Sequence, residues 1–293
     1  MMKTSIYHLH ALSPIHVGVG QAIGIVDLPI ARERAAGLPM IPGSAIKGVL
    51  RDYFAHDALQ KTLFGPDRIE KSEDIHAGAM VFGDALLLAL PVRSLVGMVS
   101  FVTSPFLLSR YRQAARRAGV ADLPEIPVVS QENDVLVTSE SANATRAGAQ
   151  SHELVILEDL DLYARSAPEA TAWAKMLADT LKDEDWKPHF SARFSIVSDA
   201  VLGYLADTAT EIRSRIRIDD ERHTVAKGAL WYEENLPAES LLFGVLGFDA
   251  AFDDSGIVDT RAAFRERLQE NGQALLQIGG KATVGRGLVR FLA

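Results

Sequence analysis

Gly279-Gly280-Lys281-Ala282-Thr283-Val284-Gly285-Arg286-Gly287, followed by the β-type run Leu288–Leu292, is the stretch on which the reading of this chain turns. Its glycines let the backbone come close to a ligand, and its amides are able to face phosphate oxygens. The loop lacks the GxxxxGK[ST] spacing of a P-loop, and it does not open a helix as GxGxxG would. A nucleotide cofactor is therefore poorly matched. A loop lying along a sugar–phosphate backbone fits better, with Gly280 giving the close approach and Lys281 and Arg286 the charge.

The N-terminal end has matching features. Ser5–Leu12 alternates like a strand. Pro14-Ile15-His16-Val17-Gly18-Val19-Gly20 follows, and residues 20–42 then show neither helical nor strand period. Irregular loops of that length inside compact domains are usually functional. Asp27 lies in this loop between Val26 and Leu28-Pro29. It reads either as a turn or cap residue, or as a carboxylate that holds a divalent metal or positions a 2′-hydroxyl. His16 reads as a structural histidine or a catalytic one. Pro42-Gly43-Ser44 starts a helix, with Ser44 as N-cap and Ile46, Val49, Leu50, Tyr53 and Phe54 at helical spacing. Lys47 and Arg51 share one face of it, an arrangement suited to phosphate.

Downstream, Ala79–Pro91 and Leu154–Tyr163 read as strands, and Pro105–Gly119, Pro168–Leu181 and Asp259–Asn271 as helices. Ile212–Ile218 alternates strictly, Asp219-Asp220-Glu221-Arg222 is a polar turn, and His223–Trp231 returns as an extended run. This is a β-hairpin with Arg213, Arg215 and Arg217 on one face and Ile212, Ile216 and Ile218 on the other. Such a hairpin is either a protected edge or a finger reaching along nucleic acid. Glu233 and Glu234, at its end, read as contributors to a metal site or as solvated turn acids.

The 293 residues are 48% apolar and 23% charged, enough to bury a core and too apolar for general disorder. Cysteine is absent, which excludes disulfide scaffolds, thiolate zinc sites and a cysteine nucleophile. No GxSxG elbow or HExxH pair is present. No apolar run approaches the roughly 18 residues of a membrane span, and no signal peptide opens the chain, so a cytoplasmic location and no membrane partner are expected. The net charge of −8 counts against nucleic acid, but its distribution does not. Arg110, Arg112, Arg116 and Arg117 fall within 105–119 without an acid, and Lys281, Arg286 and Arg290 within 273–293 likewise. If the fold joins these segments, an acidic body carries a basic face.

Taken in order, Ser13–Gly20, Val26-Asp27-Leu28-Pro29-Ile30-Ala31-Arg32-Glu33, Gly37–Arg51, Phe82–Ser94, Gly228–Pro237 and Gly279–Gly287 resemble the RAMP-superfamily CRISPR proteins. Within that superfamily they resemble the repeated backbone subunit of the type III-B (Cmr) effector complex. The resemblance runs from residue 4 to 291. It implies an α+β fold: a ferredoxin-like (RRM-type) palm with helical insertions and a protruding β-hairpin thumb. One domain would span 1–293, with a catalytic loop at 20–42, a helical insertion region at about 92–190, a thumb at about 205–236 and the glycine-rich loop at 278–287.

The same resemblance implies copies stacked into a filament along a guide crRNA, beside other Cmr-type subunits. Each thumb would displace a base pair of the guide–target duplex. Asp27, with a divalent metal (Mg²⁺ or Mn²⁺), would then cut the target RNA at regular spacing. His16 and Glu234 would be lesser members of the catalytic site. Ser44, Lys47, Arg51, Arg215, Arg217, Gly280, Lys281 and Arg286 would hold RNA. One departure is Ala45, where a second serine usually follows Pro-Gly-Ser. Alternatives are a non-catalytic crRNA-coating scaffold, the equivalent type III-A (Csm) subunit, and a guide-processing nuclease with a histidine base.

Overall fold

A computed structural model describes residues 2–20, 26–66, 76–146, 152–219, 224–253, 255–268 and 272–293. Residues 21–25 of the Asp27 loop, the expected hairpin turn at 220–223 and the expected helix end at 269–271 lie outside them. Strand β1 (Lys3–Ala11) leads through the Asp27 loop to β2 (Met40–Ile41), α1 (Gly43–Tyr53) and α2 (Leu59–Phe64). Next come β3 (Met80–Phe82), β4 (Ala85–Ser94), β5 (Met98–Thr103) and α3 (Pro105–Arg117). The middle holds β6 (Asp134–Val137), β7 (Thr145–Arg146), β8 (Glu153–Leu157), β9 (Leu160–Ser166), α4 (Pro168–Thr180), α5 (Trp186–Ala192), β10 (Phe194–Val197) and α6 (Asp199–Thr208). The chain ends with the hairpin β11 (Glu211–Ile218) and β12 (Val225–Asn235), then β13 (Leu241–Phe248), α7 (Thr260–Arg267), β14 (Gln273–Gln277) and β15 (Leu288–Leu292).

The sheet runs β14-β15-β1-β13-β4, and every neighbouring pair along it is antiparallel. Strand β1 is central, so both its faces are covered. Tyr7 and Leu9 point into the core of α1, α2 and α7, where Phe54, Phe64, Phe264 and Phe291 pack ring against ring. His8 and His10 face the other way. His8 Nε2 lies 3.0 Å from the Tyr111 hydroxyl of α3, and His10 Nε2 lies 2.6 Å from Glu239.

Burial, with the charge of Lys182, pushes the His8 imidazole down from 6.5 to about 4. The unfolded chain takes up this proton near pH 6.5, whereas the folded chain does not. Stability is therefore full above pH 6.5, falls as pH drops to about 4, and then levels off. The expected loss is about 3 kcal/mol. Denaturant titrations at stepped pH should show a flatter profile for His8→Leu. An unchanged profile would mean that His8 is not held neutral.

Three elements depart from the sequence reading. Leu154–Tyr163 is not one strand but the antiparallel pair β8–β9, with Leu154 opposite Tyr163. Ala79–Pro91 is not one strand: Gly83 and Asp84 interrupt it between β3 and β4, which both pair with β13, and β4 continues through Pro91 to Ser94. Pro91 is tolerated where β4 leaves β13 and begins to pair with β5. The span of about 92–190, expected as a helical insertion region, holds strands as well as the helices α3, α4 and α5. Its strands β5, β6, β8 and β9, with β4 and β10, form a ring in the order β4-β5-β10-β6-β9-β8. Ser94 opposite Leu157 closes it, flanked by Leu95 N–H to Ile156 O and Glu158 N–H to Arg93 O, both 3.0 Å. Val92, Val102, Val155, Leu157 and Leu162 are buried there, and α4 and α5 pack outside with Trp173 and Phe190. The result is a mixed α/β fold with seven α-helices among the described residues. None of these helices is long and apolar enough to cross a membrane.

Candidate functional site

The β11–β12 hairpin stands as a separate two-stranded sheet. Its alternation places Ile212, Ile216 and Leu230 on a half-exposed face, opposite the arginines. At its base the Asp27 loop is stitched down rather than irregular. Leu28 N–H donates to Tyr232 O at 3.1 Å, and Glu234 N–H donates to Leu28 O at 3.0 Å. Ala31 N–H donates to Val17 O and Met40 N–H to Ala31 O. Residues 28–31 thus run as an added strand between β12 and residues 17–18. The Tyr232 amide donates to Asp27 Oδ2 at 2.8 Å. Asp27 is half-buried, so one carboxylate oxygen is pinned and the side chain still reaches solvent.

Glu233 and Glu234 are not turn acids: both are buried. Their side chains leave opposite faces of β12. Glu234 accepts from Ile30 N–H at 3.0 Å and from Arg32 Nη2 at 2.6 Å. Arg32 also donates to Gly37 O, Ala206 O and Asp207. Glu234 therefore clamps the loop that carries Asp27, with one hydrogen bond on each carboxylate oxygen. His16 is buried, with Nδ1 2.7 Å from Glu234 O and its carbonyl accepting from Gly280 N–H. His16 and Glu234 are built into the support of the Asp27 loop. Arg32 carried no spacing signal of its own, because its partner Glu234 lies 202 positions away.

Glu233 is fully buried, 3.4 Å from Arg215 Nε and 3.6 Å from Arg286 Nε. Burial works to raise its carboxyl. The hydrogen bond and charge of Arg215, with His16 and Lys281 beyond, outweigh that and hold it below the ordinary carboxylate range. The glycine-rich loop packs on residues 14–17: Gly287 N–H donates to Pro14 O and Gly280 N–H to His16 O. Gly279 has φ +87°, and a Cβ there would strike the His16 carbonyl, so this contact requires glycine.

Four of the expected RNA-binding residues have partners within the protein. Arg286 is buried on Glu233, and Arg215 is paired with the same carboxylate. The Gly280 amide is already bonded, and Arg51 donates to the Phe64 carbonyl at the end of α2. Ser44, Lys281 and Arg217 are exposed, and Lys47 is half-buried on α1. Ser44 is not the N-cap. Pro42 holds that position, and Asp84 accepts from Gly43 N–H at 2.7 Å in its place. Among the described residues no three His, Asp or Glu side chains converge on a point that would hold a metal. Asp27 offers one carboxylate.

Known proteins share this architecture. The RAMP superfamily profile matches residues 8–290. The Cmr endoribonuclease Cmr4 of Pyrococcus furiosus is 34% identical, over 99% of this chain and 95% of its own length. The Cmr subunit Cmr4 of Saccharolobus solfataricus is 25% identical over 97% and 94%. The crystal structure of oligomeric Pyrococcus furiosus Cmr4 superposes with a TM-score of 0.71 at 26% identity, covering 100% of this chain and 98% of that one. A type III-B Cmr-beta complex bound to cognate target RNA contains a chain of the same fold, with a TM-score of 0.74 at 18% identity over 99% and 96%. With a full-length profile match and a one-third-identical relative over nearly its whole length, the chain belongs to the RAMP superfamily and, within it, to the Cmr4 family.

Proposed function

We propose that this chain is a guide-RNA-binding backbone subunit of a type III-B CRISPR complex and that it cuts complementary target RNA at Asp27. The observation that carries this reading is the pinning of Asp27 by Tyr232 N–H at the base of the free hairpin. The β-hairpin is the thumb. The order β15-β1-β13-β4, with α1 following β1 and α7 following β13, supports a ferredoxin-like palm. Copies assemble head to tail along crRNA beside other Cmr subunits, in the cytoplasm. The named Cmr endoribonuclease relative and the oligomeric Cmr4 structure support this reading.

Sequence recognition is left to base pairing, so the protein needs backbone contacts and shape. Lys47, Ser44 at the first turn of α1, and exposed Lys281 supply the guide-phosphate contacts. An A-form duplex forbids in-line attack by a 2′-hydroxyl on the adjacent phosphate. Splaying one base at the thumb relaxes that restraint. Asp27 then takes the 2′-hydroxyl proton as the 2′-oxygen bonds to phosphorus. The bond to the 5′-oxygen breaks, and that oxygen takes a proton from water, leaving a 2′,3′-cyclic phosphate and a 5′-hydroxyl.

A divalent ion fits as a shared group, because Mg²⁺ is usually held by one or two carboxylates together with phosphates. Asp27 would supply the carboxylate and RNA the remaining ligands. Such an ion supplies charge neutralisation at the phosphate. The test is cleavage of a complementary RNA by the assembled, guide-loaded complex, in Mg²⁺ and after EDTA. Regularly spaced cuts with cyclic-phosphate ends, stopped by EDTA and restored by Mg²⁺, are the expected result. Absence of cuts in Mg²⁺ defeats the nuclease reading and leaves a scaffold. Cutting that survives EDTA defeats the metal.

A further inference from the structure

We propose that Glu233, Arg215 and Arg286 form a positioning bolt that links the glycine-rich loop to Asp27, so that the seating of that loop sets the cleavage geometry. The inference rests on Asp27 being the cleavage residue.

Three consecutive residues of β12 divide the task. The Tyr232 amide holds the Asp27 carboxylate, and the Glu234 amide holds the Leu28 carbonyl. Glu233, between them, turns its side chain to the opposite face and meets Arg286 from the glycine-rich loop and Arg215 from the facing strand. Any displacement of Glu233 carries both neighbouring amides with it, and Asp27 with them.

The composition of the cluster is a poor choice for stability alone. Two guanidinium groups, buried Arg286 and partly exposed Arg215, face one carboxylate, so a positive charge is left over. Arg215 Nη2, Glu233 Oε1, Arg286 Nε and Asn235 Oδ1 are all buried without a hydrogen-bond partner. The ion pairs, at 3.4 and 3.6 Å, are long. Buried ion pairs often add less stability than apolar residues of the same volume, and a half-satisfied network is costlier still. A loosely satisfied cluster between two functional loops has room to tighten when one of them moves. Lys281, exposed on the same glycine-rich loop, acts electrostatically on Glu233. RNA phosphate arriving at Lys281 thus enters the field of the bolt.

The test uses the assembled, guide-loaded complex carrying Glu233→Gln, Arg286→Gln or both. Guide content, target affinity, single-turnover rate at saturating target and cut position are measured. The expected result for each single variant is a rate about 10- to 100-fold lower, the scale of an ångström-sized misplacement. Target affinity should stay within about twofold, and cuts should spread to neighbouring phosphates. The double variant should be no slower than the slower single, since both act through one contact. Arg286→Lys keeps the charge and the fold and should show an intermediate loss. Wild-type rates and cut positions, additive losses, or losses that follow target affinity would each overturn the bolt. If Asp27→Ala leaves cutting intact in the same assay, the parent reading has failed instead, and the two failures are told apart.

Discussion

A complex built with Asp27→Ala should load guide, bind target and cease to cut. The expected fall in single-turnover rate is roughly 10²–10⁴-fold, the range for removal of a positioned acid–base group. The structure shows why assembly should survive. Asp27 is half-buried, and among the described residues its side chain accepts one hydrogen bond, from Tyr232 N–H. Losing one such bond costs about 1 kcal/mol. The backbone bonds of Leu28 and Ala31 that hold the loop are untouched.

Asp27→Asn separates the two things the carboxylate does. An amide oxygen still accepts from Tyr232 N–H, so the loop stays seated. The charge and the basicity are gone. The asparagine variant should therefore be as inactive as the alanine variant. If asparagine restores cutting, Asp27 is an anchor for the loop and the chemistry lies elsewhere. The readout is the ladder of cut products, with target binding measured beside it.

Local pattern made some of this molecule legible and left other parts hidden. Helices α3 and α4 begin at the prolines read as their starts, Pro105 and Pro168, and their apolar stripes face the core. The Ile–Arg alternation of β11 marked the hairpin and its two faces. These features depend on residues a few positions apart. The strand ring does not: one opposed pair, Ser94 and Leu157, closes it across a long separation, and no period records such a contact. The two glutamates show the same limit more sharply. An acidic dipeptide beside a tyrosine looks like solvated turn. Only the fold brings Arg32 to Glu234 and Arg286 to Glu233. Lone Asp27 between apolar residues and a proline had two readings open to spacing alone, and family resemblance favoured the catalytic one.

Arg32→Ala is the second large effect expected. Arg32 ties the Asp27 loop to three places at once: Glu234 on β12, the Ala206 carbonyl and Asp207 on α6, and Gly37 within the loop. Its removal leaves Glu234 buried with a single N–H donor, Ile30. Breaking one side of a buried charge pair costs about 3 kcal/mol or more. A large drop in unfolding free energy is expected, together with an approximately 10²-fold slower cleavage from a loosened loop. Arg32→Lys should recover little, because one ammonium does not span acceptors that two guanidinium nitrogens now share. Adding Glu234→Gln to Arg32→Ala removes the unpaired charge. The pair should regain part of the lost stability and none of the lost rate, since the loop is then held to β12 by its backbone bonds and the Asp27 contact alone, without the Arg32 clamp. If rate and stability recover together, Arg32 only holds the fold. If stability returns while cutting stays slow, Arg32 and Glu234 hold Asp27 in place for the chemistry.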